Sequence, residues 1–335
     1  MELGRIPLFI PIALSLSIAP APGALAARKP TPTRTPTITA TRTPTPASTR
    51  TPTPTPAPGA VSIAITAPVA GATIDSNQFN VRGTFQGPPN TGITVNDRVA
   101  YVSGTRFMLN GLPLAAGANP ITATATTPAG QSATAAVTAT ATGAPPDLVL
   151  NADVTSGISP LTVTFTYEFR STQAVQKLAI DFDGDGHDDF STRKPPTTVQ
   201  NTYTNPGLYA ATLTITDSLG RAHKAEVGIE VSTGDARDAL FRSVWDAMNE
   251  ALARGDLAAA LRSWNPRAQE KYAPIFNDLI SDMPGIVGSY SPPQFVSEGP
   301  GYLEYAINRV IDGENHVFLV YLLRDADGVW RMDSM

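Results

Sequence analysis

From Arg28 to Ala60 the chain is built of Thr-Pro units, holds no acidic residue and has almost nothing apolar. Such a segment has no surface to bury against the entropy of ordering, so it cannot join a hydrophobic core. Proline fixes φ and removes a donor, which predicts a disordered tether biased to polyproline II. At about 3.1 Å per residue its reach is at most roughly 100 Å. Arg34, Arg42 and Arg50 recur every eight residues, each followed by Thr-Pro. Those cations suit a semi-rigid stalk that touches anionic wall polymer or lipid, but the plainer reading, a solvated spacer extended by its own charge, is favoured. Thr-rich tracts with Pro are also typical of O-glycosylated stalks. Either way, folded structure can begin only near residue 61.

Upstream of the tether the pattern is that of a secretion signal over residues 1–26. Arg5 supplies a positive start, Ile6 to Ala19 an apolar run, and Ala24-Leu25-Ala26 a small-residue cleavage site. The apolar run is short for a membrane-spanning helix, and Pro7 and Pro11 interrupt it. An uncleaved anchor is the alternative; the Ala-Leu-Ala triplet favours cleavage. A mature chain starting near Ala27 is therefore expected outside the cytoplasm, secreted or surface-associated, without a transmembrane segment. The chain contains no cysteine, which excludes a disulfide framework, a thiol nucleophile and a lipid anchor on an N-terminal cysteine. Its formal net charge is −5, while the linker over residues 27–60 carries five cations and no acid. The rest is correspondingly more acidic than the chain as a whole, which argues against nucleic acid as a partner.

Residues 61–143 read as all-β. Val61-Ser-Ile-Ala-Ile65 alternates, Gly71 and Asp75-Ser-Asn77 punctuate, and Phe79-Asn-Val81 resumes the pattern. Ile93-Thr-Val95 and Val99-Ala-Tyr101 suggest a hairpin around Asn96-Asp97, and Arg106 to Leu109 and Ile121 to Ala125 add further strands. Short strands with turn signals every eight to twelve residues predict a β-sandwich. The order Ile65-Thr-Ala-Pro-Val-Ala-Gly-Ala-Thr-Ile74, then Ile93-Thr-Val-Asn-Asp97, then Leu112 to Gly130 resembles bacterial Ig-like domains of the glucodextranase domain-B type. The resemblance implies a fold rather than a ligand.

Residues 144–232 predict a second sandwich. Leu178, Ile180 and Phe182 alternate toward a core, Pro206-Gly207 turns the chain, and Leu213 and Ile215 line a facing strand. Ser156 to Phe165, Ile180-Asp-Phe-Asp-Gly-Asp-Gly186, Thr202 to Tyr209 and Ala211 to Gly220 resemble the PKD (polycystic kidney disease) domain. That family usually has Trp where this chain has Ile180, which removes an aromatic core anchor and keeps the strand pattern. The resemblance implies a spacer or adhesive module of an extracellular protein.

Within this segment lies the one chemically dense cluster, Asp181-Phe-Asp183-Gly-Asp185-Gly-His-Asp-Asp189. Acidic residues at alternate positions with glycine at the sixth match the first half of a calcium loop. In that scheme Asp181, Asp183, Asp185 and Asp189 are the candidate ligands and His187 gives its carbonyl. Thr192 stands where a bidentate Glu is expected, and no helices flank the loop. The other reading is an exposed inter-strand turn, where Asp and Gly serve the backbone alone. Five carboxylates in nine residues repel without a cation. If calcium binds, an affinity of roughly 10⁻⁴ to 10⁻³ M is expected, as in extracellular modules.

Residues 233–335 change character to α+β. Leu240, Phe241, Val244, Trp245, Met248 and Leu252 form one stripe of a helix over 236–254 that Gly255 ends. Asp256 caps a short helix through Trp264, and Asn265-Pro266 opens a third, stopped before Pro284. Strand patterns follow at Phe295-Val296, Leu303 to Val310, His316 to Leu323 and Val329 to Met332, with turns at Asp312-Gly313 and Asp327-Gly328. Helices followed by an antiparallel meander ending in Asp327-Gly-Val-Trp-Arg-Met332 resemble the NTF2-like cone. That resemblance implies a pocket, with Glu304, Asn308, Arg309, His316 and Tyr321 as polar candidates around it. Trp245, Trp264, Trp330 and Tyr290 fit core or cap roles better than a sugar platform. Of the three histidines (His187, His223 and His316), none falls in a metalloprotease motif, and neither a nucleophile elbow nor a phosphate loop is present.

The leading expectation is a secreted or surface-associated non-catalytic protein acting as a spacer, adhesion or ligand-binding module. Its expected partners are a cell-envelope polymer, a polysaccharide or an extracellular protein, with calcium as the one candidate cofactor. No catalytic residue is assigned. Two alternatives remain open: an enzyme or small-ligand pocket in residues 233–335, and an accessory carbohydrate-binding protein. The oligomeric state is not readable.

Overall fold

The computed structural model describes residues 60–335; the expected signal peptide and almost all of the tether fall on residues 1–59 and lie outside the described residues. The described chain is mostly strand, arranged in several sheets, with a small helical part. Among the described residues no helix is long and apolar enough to cross a membrane.

Nine strands come first: β1 (Ser62–Ala67), β2 (Thr73–Ile74), β3 (Gln78–Gln86), β4 (Gly92–Val95), β5 (Arg98–Val99), β6 (Tyr101–Ser103), β7 (Arg106–Pro113), β8 (Gly117–Thr126) and β9 (Ser132–Ala141). They form two sheets, ordered β1-β3-β7-β6 and β2-β9-β8-β4-β5. Val81, Phe107 and Leu109 of the first sheet meet Ile93, Val95, Ile121 and Ala123 of the second in one buried cluster. Alternation along each strand sends these side chains inward. The expected hairpin is only half present: β4 pairs with β5, and Tyr101 joins β6 in the opposite sheet. Asn96 and Asp97, both at positive φ, make the tight turn, and the fully buried Ala100 marks the crossing between sheets.

The next eight strands are β10 (Leu148–Ala152), β11 (Ser156–Ile158), β12 (Leu161–Phe169), β13 (Val175–Asp181), β14 (Phe190–Thr192), β15 (Thr198–Tyr203), β16 (Gly207–Asp217) and β17 (Ala222–Ser232). Their sheets run β10-β12-β15 and β11-β17-β16-β13-β14. Leu178, Ile180, Phe182, Leu213 and Ile215 all lie in the shared core, on the inward side that the alternation predicts. Phe165 packs against Phe182 with ring centroids 5.5 Å apart, so aromatic contact persists with Ile at position 180.

The C-terminal part holds α1 (Gly234–Ala253), α2 (Leu257–Leu261), α3 (Pro266–Leu279) and α4 (Met283–Gly288), then β18 (Gln294–Gly299), β19 (Tyr302–Ile311), β20 (Glu314–Arg324) and β21 (Trp330–Ser334) in sequential order in one sheet. Thr233, Asp256 and Asn265 each cap a helix by accepting a backbone N–H. Pro284, read from sequence as a stop, also sits in the first turn of α4, where a missing N–H costs nothing. Phe241, Trp245, Met248, Trp264, Tyr272 and Phe276 fill the helix side of the sheet against Leu303, Tyr305, Ile307, Val320, Leu322 and Met332.

The three cores do not hang as separate beads. Asn110 Nδ2 donates to the Gly228 carbonyl at 2.9 Å, and Gly228 N–H donates back to Asn110 Oδ1 at 2.8 Å. Met108 and Tyr101 pack there against Leu208 and Ala210, and Arg82 pairs with Glu226 across the same seam. The first sandwich also reaches the C-terminal sheet. Asn90 pairs reciprocally with the Trp330 backbone, both bonds at 2.9 Å, and Arg324 Nη2 donates to the Ala100 carbonyl at 2.5 Å. A Cβ on Gly92 would overlap the backbone of Asp327 and Gly328. Residues from all three parts thus converge on one junction.

Candidate functional site

The Asp-rich loop joins β13 to β14. Asp181 ends β13 and is buried, whereas Asp183, Asp185 and Asp189 are exposed. Gly184 and Gly186, at φ +77° and +94°, bend the chain back over Asp181. One carboxylate oxygen of Asp181 accepts Gly184 N–H at 2.7 Å and the other accepts Gly186 N–H at 2.8 Å. Asp189 accepts Phe182 N–H at 2.7 Å, and Tyr203 donates to the Phe182 carbonyl at 2.9 Å, anchoring the loop to β15.

Asp181, Asp183 and Asp189 bring one carboxylate oxygen each within 4.8 Å of the others. Asp185 is not in that group: its Oδ1 accepts His187 N–H at 2.8 Å and faces the His187 ring at 3.2 Å. Asp188 pairs with Lys177 at 3.1 Å. The repulsion expected from five adjacent carboxylates is thus partly answered by backbone donors and one lysine, a local solution that residue spacing alone does not reveal. The three clustered carboxylates remain a hard-oxygen donor set suited to calcium, with further ligands needed from carbonyls or water.

A second polar constellation was not legible in the sequence. Asp217, fully buried at the end of β16, accepts Leu219 and Arg221 N–H at 2.9 and 3.0 Å and lies 3.2 Å from His223 Nε2. Burial pushes its carboxyl up, but the Arg221 N–H, His223 and the Leu219 N–H outweigh that and hold it below the usual aspartate range. The other ring nitrogen of His223 lies 3.7 Å from Asp147, in the segment joining the two sandwiches. A cavity of about 580 Å³ opens beside it, lined by Arg82, Asp147, His223 and Glu226.

Of the polar candidates of the C-terminal sheet, Glu304 and Tyr321 meet across β19 and β20, but the five do not gather in one place. Glu304 and Asn308 alternate with the helix-facing Tyr305 and Ile307 and so project from the opposite face. Glu304 accepts from Ser297 at 2.6 Å and from Tyr321, which hold its carboxyl below the usual range. Arg309 shares the helix-side face with Tyr305, and His316 is exposed across from it. Trp264 and Trp245 are core residues, as expected. Trp330 instead stands at the junction with the first sandwich, where Asn90 holds its backbone.

No family matches the chain, and no curated protein does. Among solved structures, fibronectin(III)-like modules of Clostridium thermocellum CbhA align at 13% identity over 50% of this chain and 94% of that one, with a TM-score of 0.20. The superoxide reductase (neelaredoxin) of Ignicoccus hospitalis aligns at 10% identity over 25% of this chain and 80% of that one, TM-score 0.20. Dimeric latent PorU of Porphyromonas gingivalis aligns at 10% identity over 51% of this chain and 20% of that one, TM-score 0.28. At these scores the alignments carry no weight, and the sandwich architecture rests on the sheets and cores described above.

Proposed function

We propose that this chain is an exported, non-catalytic protein whose folded body is one rigid presenting platform on a Thr/Pro tether. In this reading the two sandwiches are Ig-like, the second of PKD type, and the C-terminal part is a cone of NTF2 type. The platform holds a cell-envelope polymer, polysaccharide or extracellular protein at a distance set by the tether. The observation that carries the reading is the pair of reciprocal Asn clamps, Asn110 with Gly228 and Asn90 with Trp330, which tie the first sandwich to both other parts. Paired donor and acceptor on one planar amide fix the orientation of the two surfaces they join, where parts of a chain linked by a small interface would otherwise be expected to move. The catalytic alternative gains no similar support, since Glu304 and Asn308 lie across the sheet from the filled helix side. The Asp181 loop enters as a weak calcium site that stiffens the second sandwich.

Small-angle scattering of the full exported chain tests the platform. A single compact body with one extended tail is expected. A profile requiring independently moving folded parts would overturn it. N-terminal sequencing of the protein from its host tests export: a mature start near Ala27 is expected, and cytoplasmic protein retaining residues 1–26 would sink that part alone.

A further inference from the structure

We propose that the three-way junction is a binding site for a neutral, hydroxyl-rich ligand of about disaccharide size. A cavity of about 400 Å³ opens there, bordered by the Phe85–Thr91 segment, the end of β17, the first turn of α1 and the turn between β20 and β21. That volume falls within the range of small-molecule sites.

Arg237, on the first turn of α1, has a side chain only 14% exposed, yet its buried Nε has no hydrogen-bond partner. The carboxylates around it are those of Glu298 at 3.5 Å and Glu230 at 3.9 Å, close enough to balance its charge but too far for good hydrogen bonds. A guanidinium offers five fixed donors and each carboxylate several acceptor sites. Buried groups of this kind are almost always paired, so the unpartnered Arg237 Nε, beside a cavity that Glu230 also lines, points to a ligand that brings an acceptor and can donate in turn. Arg324 adds a second guanidinium to the lining, already tied to the Ala100 carbonyl.

Charge then selects the ligand class. An anion would meet Glu230, and a cation would meet Arg237 and Arg324. A hydroxyl accepts from Arg237 and donates to Glu230 with no net charge to desolvate. Phe85, Leu240 and Trp330 supply apolar surface beside these groups, which suits the C–H faces of a sugar ring. Arg237 is held over the Trp330 ring, 5.9 Å from its centroid. All three parts of the body contribute, so the site exists only when they are packed together.

Titration calorimetry of the full exported chain with cellobiose, maltose and N,N′-diacetylchitobiose tests the assignment, with benzoate and agmatine as charged probes. At least one disaccharide should bind and neither charged probe should. Arg237→Gln should weaken that binding at least about tenfold, the loss expected for a charge-assisted hydrogen bond. Leu240→Trp, which fills the cavity and leaves every charge in place, should abolish it. If Arg237→Gln disturbs folding, the Leu240→Trp result decides. No heat from any disaccharide at tens of millimolar, tighter binding of benzoate or agmatine, or undiminished binding by a folded Leu240→Trp variant would each overturn the proposal. Scattering on the same sample reports the packing of the junction independently of the ligand.

Discussion

Asn90 and Trp330, 240 positions apart, exchange two hydrogen bonds: the Asn90 amide donates to the Trp330 carbonyl and accepts the Trp330 N–H, both at 2.9 Å. The side chain thereby takes the place of a neighbouring strand for one residue of β21. Asn110 does the same for Gly228 of β17. An amide carries donor and acceptor on one planar group, so it can satisfy a backbone pair without extending a sheet across the seam. This is how the first sandwich docks on both of its neighbours with their own sheets intact.

Asn90→Ala should loosen one seam only. It leaves the Trp330 N–H and C=O without partners, at a cost of about 1–3 kcal/mol. Amide exchange at Trp330 should accelerate about tenfold or more, while exchange in β3, β7 and β8 stays unchanged. Unchanged protection at Trp330 would show that the clamp adds nothing to docking.

Gly92→Val should force the first sandwich and the β20–β21 turn apart. The atoms its Cβ would meet are backbone atoms of Asp327 and Gly328, which cannot swing aside as a side-chain tip can. A larger radius of gyration is expected, with circular dichroism still reporting folded sheets. A radius equal to that of the parent would contradict the tight approach.

Calcium at several millimolar should raise the melting temperature of the second sandwich, since a ligand that binds only the folded form stabilises it by mass action. Asp183→Ala should remove that gain. Asp185→Ala should retain it, because Asp185 is turned to His187 rather than into the three-carboxylate cluster. Asp181→Ala should lower stability even without calcium, since the Gly184 and Gly186 N–H groups lose their acceptor. No thermal shift with calcium would leave the loop an acidic turn.

Asp217 makes the same sandwich acid-sensitive. Its carboxyl is held below the usual range, with burial outweighed by the Arg221 N–H, His223 and the Leu219 N–H. A depressed folded pKa contributes stability that is present above the ordinary aspartate value, about 3.9, and lost as pH falls through the folded value. Melting temperature should therefore drop on acidification below about pH 4. Asp217→Asn should be less stable at neutral pH and show a shallower acid limb. An identical pH profile for the two proteins would remove Asp217 from the account.

Local pattern in the sequence determined the elements: the alternation of Leu178, Ile180 and Phe182 gave an inward strand face, Asp256 and Asn265 capped helices, and Asp312-Gly313 turned a hairpin. These signals are readable because they act between residues a few positions apart. Asp185 turns to His187 two positions on, and Asp217 takes its partners from the next six residues, local choices that spacing does not rank. The docking of Asn110 on Gly228 and the placing of Trp330 at a seam were decided by tertiary packing alone. Each depends on which backbone donors or distant side chains arrive alongside, as Asn90 arrives at Trp330 across 240 positions. Spacing carries no record of such long-range arrivals, so the chain announces its sheets and helices and leaves the junction between them to the folded structure.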